Sequence, residues 1–248
     1  VHVSAFVAVS RTCRDRMIPW LGLDPGRVSV IPIGIDTGVY PAAPLPGDPP
    51  VLGFLSRLGE AQGLGRLADA FLELRRDPRL AGLRLHACGG STPADAPFLR
   101  GLRRRLEGAG AWQAVSLFPG LDLPQRIRFL HGLSVLSVPM DQGEDFGLFL
   151  LEAQASGVPV VQPRAGAFPE VLAATEGGVL YEPGRPGALE EALSALLTDP
   201  ARAARLGAAG RARAAERFDL AAVAARTAAL YRSVAEGGPG GRVDATGS

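Results

Sequence analysis

Lysine is absent from all 248 residues, so the 26 basic side chains are all arginine. They face 25 acidic residues, and a formal net charge of +1 leaves none of the basic excess that nucleic-acid binding draws on. Cysteine is nearly as scarce. Cys13 and Cys88 are too few for a disulfide scaffold and lack zinc-ligand spacing, which fits a reducing compartment; a cytoplasmic location is expected. Long apolar runs are missing too: hydrophobic residues make up 47% of the chain, but charges break each run well short of a membrane span. The opening VHVSAFVAVS has no initiator Met, no charged leader region and no small-residue cleavage pattern, and reads as a strand. A chain that opens mid-strand is expected to be a piece of something larger. At this length it can still bury a full core, as one large domain or two small ones.

What is present is alternation. Short β-branched runs such as Val51–Leu55, Val115–Phe118 and Gly178–Tyr181 alternate with Ala/Leu/Arg-rich segments such as Leu123–His131 and Ala188–Leu197. This is the pattern of β-α units around a parallel sheet, and it predicts an α/β fold with a Rossmann-like, doubly wound parallel sheet. Pro and Gly cluster over 41–50, which reads as a linker between a strand-helix-strand unit at 1–40 and the main unit at 51–217. A last helix is expected within 218–236 with Asp219 as its cap, and Ser10 is expected to cap a helix over Arg11–Leu21. The Gly-rich 237–248 has the composition of a disordered tail. Ligands of doubly wound sheets sit at the carboxyl ends of the strands, so chemistry is sought just after the strand runs.

The most informative stretch is PMDQGEDFGLFLLEAQASGVPVV, residues 139–161. A strand ends at Pro139, a polar loop follows, and an apolar helix begins near Gly147. Such a helix aims its first free N–H groups, those of Gly147, Leu148 and Phe149, at the strand ends. Free amides and the helix dipole make an anion site, and Gly147 lets a phosphate approach the backbone. Glu144 precedes the helix and Glu152 lies inside it, so two carboxylates can reach the same mouth. The competing reading is a capping loop followed by a helical surface glutamate.

The string EDFGLFLLEAQASGVPVV, from Glu144 to Val161, resembles the signature of family 4 glycosyltransferases: two glutamates separated by seven residues. Other segments match in order. VIPIGID (30–36) is similar to the family's VIPNGVD, and Arg57-Leu58 with Gln62-Gly63-Leu64 is similar to its GRL and KGL. GAFPE (166–170) is similar to GGIPE, and the closing Phe218 and Tyr231 also fit. The similarity runs roughly over residues 5–232. It implies a retaining hexosyltransferase of the GT-B fold that uses a nucleoside-diphosphate sugar, with no metal and no other cofactor. It further implies that Glu152 accepts from the ribose hydroxyls and Glu144 faces the transferred sugar. Arg57 and the Gly147, Leu148 and Phe149 amides would hold the diphosphate. The acceptor would be a sugar, a lipid or a small hydroxylated molecule. Residues 1–40 correspond to the end of the N-terminal GT-B lobe and 51–217 to the nucleotide-sugar-binding lobe, with 218–236 as a helix crossing back.

Gln62 departs from this pattern, because the family places a diphosphate-binding lysine there. Losing one charge-assisted contact costs about 1.5–3 kcal/mol, unless an arginine such as Arg66 compensates. This departure keeps open a second function, a degenerate lobe acting as a weak nucleotide-binding or assembly module. Ile33 in place of Asn and Ser134 in place of Asp are smaller departures. The Arg103–Arg105 cluster, with Arg100, reads as a solvated face and secondarily as a peripheral contact with an anionic membrane. An unpaired lobe would expose an apolar face, which points to self-association. His86 and the Cys88–Gly90 turn could line a nucleotide pocket, but structural roles are the simpler reading, and no nucleic-acid partner is expected.

Overall fold

The computed structural model describes residues 3–236. Its first unit is small: β1 (Phe6–Ala8) and β2 (Val28–Val30) run parallel, joined by α1 (Arg11–Leu21). Ser10 sets the start of α1, its hydroxyl accepting from the Cys13 amide at 2.9 Å, and Gly22, in the left-handed region, ends it. Residues 41–50 then cross, without helix or strand, to the main sheet.

That sheet has six parallel strands: β3 (Val51–Leu55), β4 (Arg84–Cys88), β5 (Val115–Phe118), β6 (Val135–Leu136), β7 (Val160–Pro163) and β8 (Gly178–Tyr181). They lie in the order β5-β4-β3-β6-β7-β8. The chain winds outward from β3 to β5, returns to the other side of β3 as β6, and winds outward again to β8. The loops leaving β3 and β6 therefore diverge, and a crevice opens between their carboxyl ends. All five residues of β3 are buried, as a central parallel strand requires. Gly53 is a glycine because a Cβ there would lie 2.2 Å from Leu133 Cδ1.

The helices are α2 (Leu64–Leu74), α3 (Ala96–Gly108), α4 (Leu123–His131), α5 (Leu148–Ala155), α6 (Phe168–Thr175), α7 (Ala188–Leu197), α8 (Pro200–Arg217) and α9 (Leu220–Ala235). α2 packs against α3 and α7, while α5 and α6 pack against α8. Seven of the eight residues of α5 are buried, which is why its sequence is apolar on every side apart from Glu152 and Gln154. α9, capped by Asp219, returns to the first unit, where Val223 and Leu230 bury Ile31. The Ile35 amide donates to the Phe218 carbonyl at 2.7 Å, and the Leu220 amide donates to the Ile35 carbonyl at 3.2 Å. A Cβ on Gly34 would stand 2.9 Å from Leu220 Cα, so the glycine of VIPIGID is required by this crossing.

Most element ends fall within two residues of expectation. β1 is shorter than the run Val3–Val9, and β6 stops at Leu136 because the chain then turns, with the Met140 amide donating to the Val138 carbonyl at 2.8 Å. α6 is not foreseen in the sequence: eight residues with Pro169 in the first turn are too few to display a helical period. The expected tail at 237–248 lies outside the described residues.

Candidate functional site

Three loops form the floor of the crevice, and glycine brings them together. A Cβ on Gly63 (φ +82°) would lie 2.3 Å from the Pro139 carbonyl oxygen, so the loop after β3 touches the loop after β6 backbone to backbone. A Cβ on Gly89 would lie 1.7 Å from the Ser56 carbonyl oxygen. Hydrogen bonds continue the seam: the Ser56 amide donates to the Cys88 carbonyl at 3.1 Å, and the Leu58 amide donates to the Gly90 carbonyl at 2.8 Å. The Cys88–Gly90 turn thus holds the β3 loop in place.

On this floor Arg57, Gln62 and Asp95 converge around Gly59. A Cβ built there would lie 2.7 Å from Gln62 Oε1, 2.9 Å from Asp95 Oδ1 and 3.3 Å from Arg57 Nε. The Arg57 guanidinium stands 3.7 Å from Asp95 and is half exposed. Asp95 is itself fixed by the Thr92 amide and hydroxyl, at 2.7 and 2.8 Å, and these bonds hold its carboxyl below the usual range. Gln62 Oε1 is buried and accepts no hydrogen bond.

Across the crevice, Gly147 (φ +85°) starts α5, and a Cβ there would lie 2.9 Å from Phe168 Cε1. The Leu150 amide donates back to the Gly147 carbonyl at 2.9 Å, whereas no acceptor among the described residues serves the Leu148 and Phe149 amides. The Leu148 side chain is exposed, so the helix start is open. The first amides of α1 are different. Glu170, on α6, accepts from the Arg11 amide at 2.9 Å and the Thr12 amide at 3.4 Å, so that helix start is already satisfied by protein.

Glu144 is held through its backbone. Its carbonyl accepts from the Ala167 amide at 2.8 Å, and a Cβ on Gly166 would lie 2.5 Å from that same oxygen. Burial, and then the neighbouring Asp145, push its carboxyl above the ordinary range; Asp145 pairs with Arg16 of α1. A carboxyl raised in the folded state adds stability at low pH that is lost as pH rises through its folded value. Glu144→Gln is therefore expected to raise the melting temperature at pH 7, with the difference fading as pH falls toward about 4. Melting curves across that range check this.

Glu152 is buried on α5 and already engaged. Its Oε1 accepts from the Tyr40 hydroxyl at 3.0 Å and from Arg126 Nη1, on α4, at 2.8 Å. Cys88, the last residue of β4, feels both charges of this ion pair, which places the pair at the carboxyl end of the sheet; burial pushes its thiol up. Glu144 thus lies toward β7 and Glu152 toward β4, with the start of α5 between them. Sequence reasoning missed Tyr40, Arg126 and Asp95. Arg126 sits in an ordinary amphipathic helix, and nothing local marks it.

Arg66 does not reach toward Gln62's role: it is paired bidentately with Asp141 and donates to the Pro139 carbonyl at 3.3 Å. His86 is half-buried and packs edge-on against Phe118, a structural role. Both cysteines are buried. Arg103 stacks on Trp112 and bonds Glu107, and Arg105 pairs with Asp69 at 3.0 Å, so two of the clustered arginines are partnered. A separate cavity of about 670 Å³ lies between the first unit and α6, α8 and α9, lined in part by Arg11, Glu170, Arg217 and Arg226. Among the described residues no three His, Cys, Asp or Glu side chains are grouped to hold a metal ion, and no helix is long and apolar enough to cross a membrane.

The model of the family described as Glycosyl transferases group 1 matches residues 41–213. The chain belongs to this family. Its match covers nearly the whole α/β unit and both sides of the crevice. Among curated relatives of this group 1 chain, the alpha-maltose-1-phosphate synthase of Mycolicibacterium smegmatis is 32% identical over 253 residues, covering 93% of the chain and 63% of that protein. The D-inositol 3-phosphate glycosyltransferase of Segniliparus rotundus is 29% identical over 242 residues, covering 94% of the chain and 53% of that protein. The chain therefore spans less than two thirds of the length of these relatives. Among solved structures, sucrose-phosphate synthase from Thermosynechococcus elongatus superposes with a TM-score of 0.82 at 24% identity, over 95% of this chain and 59% of that one. HepE of Anabaena, in complex with UDP and glucose, superposes with a TM-score of 0.81 at 20% identity, over 93% of this chain and 64% of that one. These structural likenesses are of fold.

Proposed function

We propose that this chain is the donor-binding part of a glycosyltransferase that moves a hexosyl unit from a nucleoside-diphosphate sugar to a hydroxyl acceptor with retention. One observation supports the reading: no acceptor among the described residues serves the Leu148 and Phe149 amides at the start of α5, and the loop that leads to this helix touches, at Gly63 and Pro139, the loop that carries Arg57 and Gln62. A glycosyl donor breaks toward an oxocarbenium-like sugar while the departing diphosphate gathers negative charge. Fixed amides and a guanidinium aimed at that charge lower the barrier most where it develops. Gly147, Leu148, Phe149 and Arg57 take that role, and Gln62 adds a neutral donor. Glu152 accepts from the ribose, and Glu144, the half-buried carboxyl on the other flank, faces the sugar. The name of the Segniliparus relative supports glycosyl transfer, and the UDP and glucose bound to HepE support a nucleotide-sugar donor.

Calorimetric titration with UDP, GDP and ADP tests this: micromolar binding of at least one is expected, and no binding by any contradicts it. The Gln62 position makes a sharper prediction. Gln62→Lys is expected to tighten a nucleoside diphosphate by about tenfold or more, the worth of one charge-assisted contact, and to leave the nucleoside unchanged. Equal gains for both would contradict the placement of the phosphates.

A further inference from the structure

The Glu152 carboxylate is anchored unevenly. Oε1 accepts from both the Tyr40 hydroxyl and Arg126, while no hydrogen bond reaches Oε2 from the described residues. An ionised carboxylate accepts on both oxygens, so the second one keeps its full capacity. The anchors are themselves fixed. The Tyr40 side chain is buried, and its carbonyl accepts at 2.5 Å from Arg211, which also donates to the carbonyl of Ala155 at the end of α5. Arg126 lies in the first turn of α4, where its amide donates to the carbonyl of the capping Asp122 at 2.8 Å. Two groups from separate segments, the turn before the linker and α4, thus meet on one oxygen of one side chain.

A carboxylate left to itself rotates about its last bond and presents either oxygen. Held at Oε1 by two donors, it cannot rotate without breaking a charge-assisted bond. We infer that Tyr40 and Arg126 are positioning residues for the nucleotide's ribose, fixing Glu152 by one oxygen so that the other stays open as the hydroxyl acceptor. The inference rests on the donor-site reading above and adds to it the two residues that set the preference for ribose over deoxyribose. Arg126 supplies the charge-assisted bond to Oε1, and the phenol restricts the carboxylate's orientation.

The test compares UDP with 2′-deoxy- and 3′-deoxy-UDP by calorimetry on the whole chain, in wild type, Tyr40→Phe, Arg126→Gln and Glu152→Gln. Tyr40→Phe removes a single hydroxyl and keeps the ring, and melting curves verify that each variant is folded. Wild type is expected to prefer UDP over at least one deoxy analogue by about tenfold, the loss of one bond to a charged acceptor. In Tyr40→Phe and Arg126→Gln that ratio is expected to fall below about threefold through weaker UDP binding, with affinity for the deoxy analogue unchanged. A role confined to packing would weaken ribo- and deoxynucleotide alike, and that result overturns the inference. If Glu152→Gln abolishes the preference while Tyr40→Phe and Arg126→Gln retain it, the positioning role fails and the donor site stands. If wild type shows no preference, the donor-site reading fails as well.

Discussion

Truncating Glu152 to alanine is expected to weaken UDP binding by about 10- to 100-fold and to destabilise the fold by about 1–3 kcal/mol. The two losses have different origins. Binding falls because the ribose acceptor is gone. Stability falls because Glu152 is the partner of Arg126, whose side chain is only 37% exposed and whose charge would be left with its desolvation uncompensated. That partial exposure keeps the cost below what a fully buried pair would show. Tyr40 loses the acceptor of its hydroxyl in the same step. The double variant Glu152→Ala/Arg126→Ala removes the stranded charge, so urea melts should show part of the stability returning. Titration should show no recovery of UDP affinity. Recovery of both together would mean that Glu152 acts on the nucleotide only through the integrity of the fold.

Gly89→Ala is expected to cost about 2–4 kcal/mol, while Gly90→Ala, one residue on, should change stability by less than about 0.5 kcal/mol. At Gly89 the new Cβ would stand 1.7 Å from the Ser56 carbonyl oxygen and 3.3 Å from the Arg57 amide nitrogen, so backbone must move. At Gly90 nothing lies within 4 Å of the same atom. The displacement at Gly89 pushes directly on the loop that presents Arg57 and, further along, Gln62. Nucleoside-diphosphate affinity should therefore fall further than nucleoside affinity in the folded fraction. Denaturant unfolding of both variants measures the contrast, and equal stability would show that the β3 and β4 loops do not approach as closely as described.

Much of the architecture is legible in the sequence. Buried strands such as VLGFL, bounded by Pro and Gly, stand apart from amphipathic helices such as Leu64–Leu74 because burial on both faces and burial on one face leave different periods. Ser10 and Asp219 announce helix starts because each uses its own side chain to satisfy a nearby amide. The crevice was legible for the same reason: Gly147 and the apolar helix behind it are local signals. The partners of Glu152 were not. Tyr40 is 112 residues away and Arg126 is 26, and only the winding of the sheet brings all three together. Arg66 shows the converse. It lies near Gln62 in sequence, yet Asp141, 75 residues on, captures it because the Gly63–Pro139 contact draws the two loops together.

A crystal structure of the chain with UDP probes the central claim directly. The diphosphate oxygens are expected to accept from the Leu148 and Phe149 amides and from Arg57, with a ribose hydroxyl donating to the second oxygen of Glu152. A nucleotide seated in the cavity between the first unit and α6, or a crevice left unoccupied at saturating UDP, GDP and ADP alike, would contradict it.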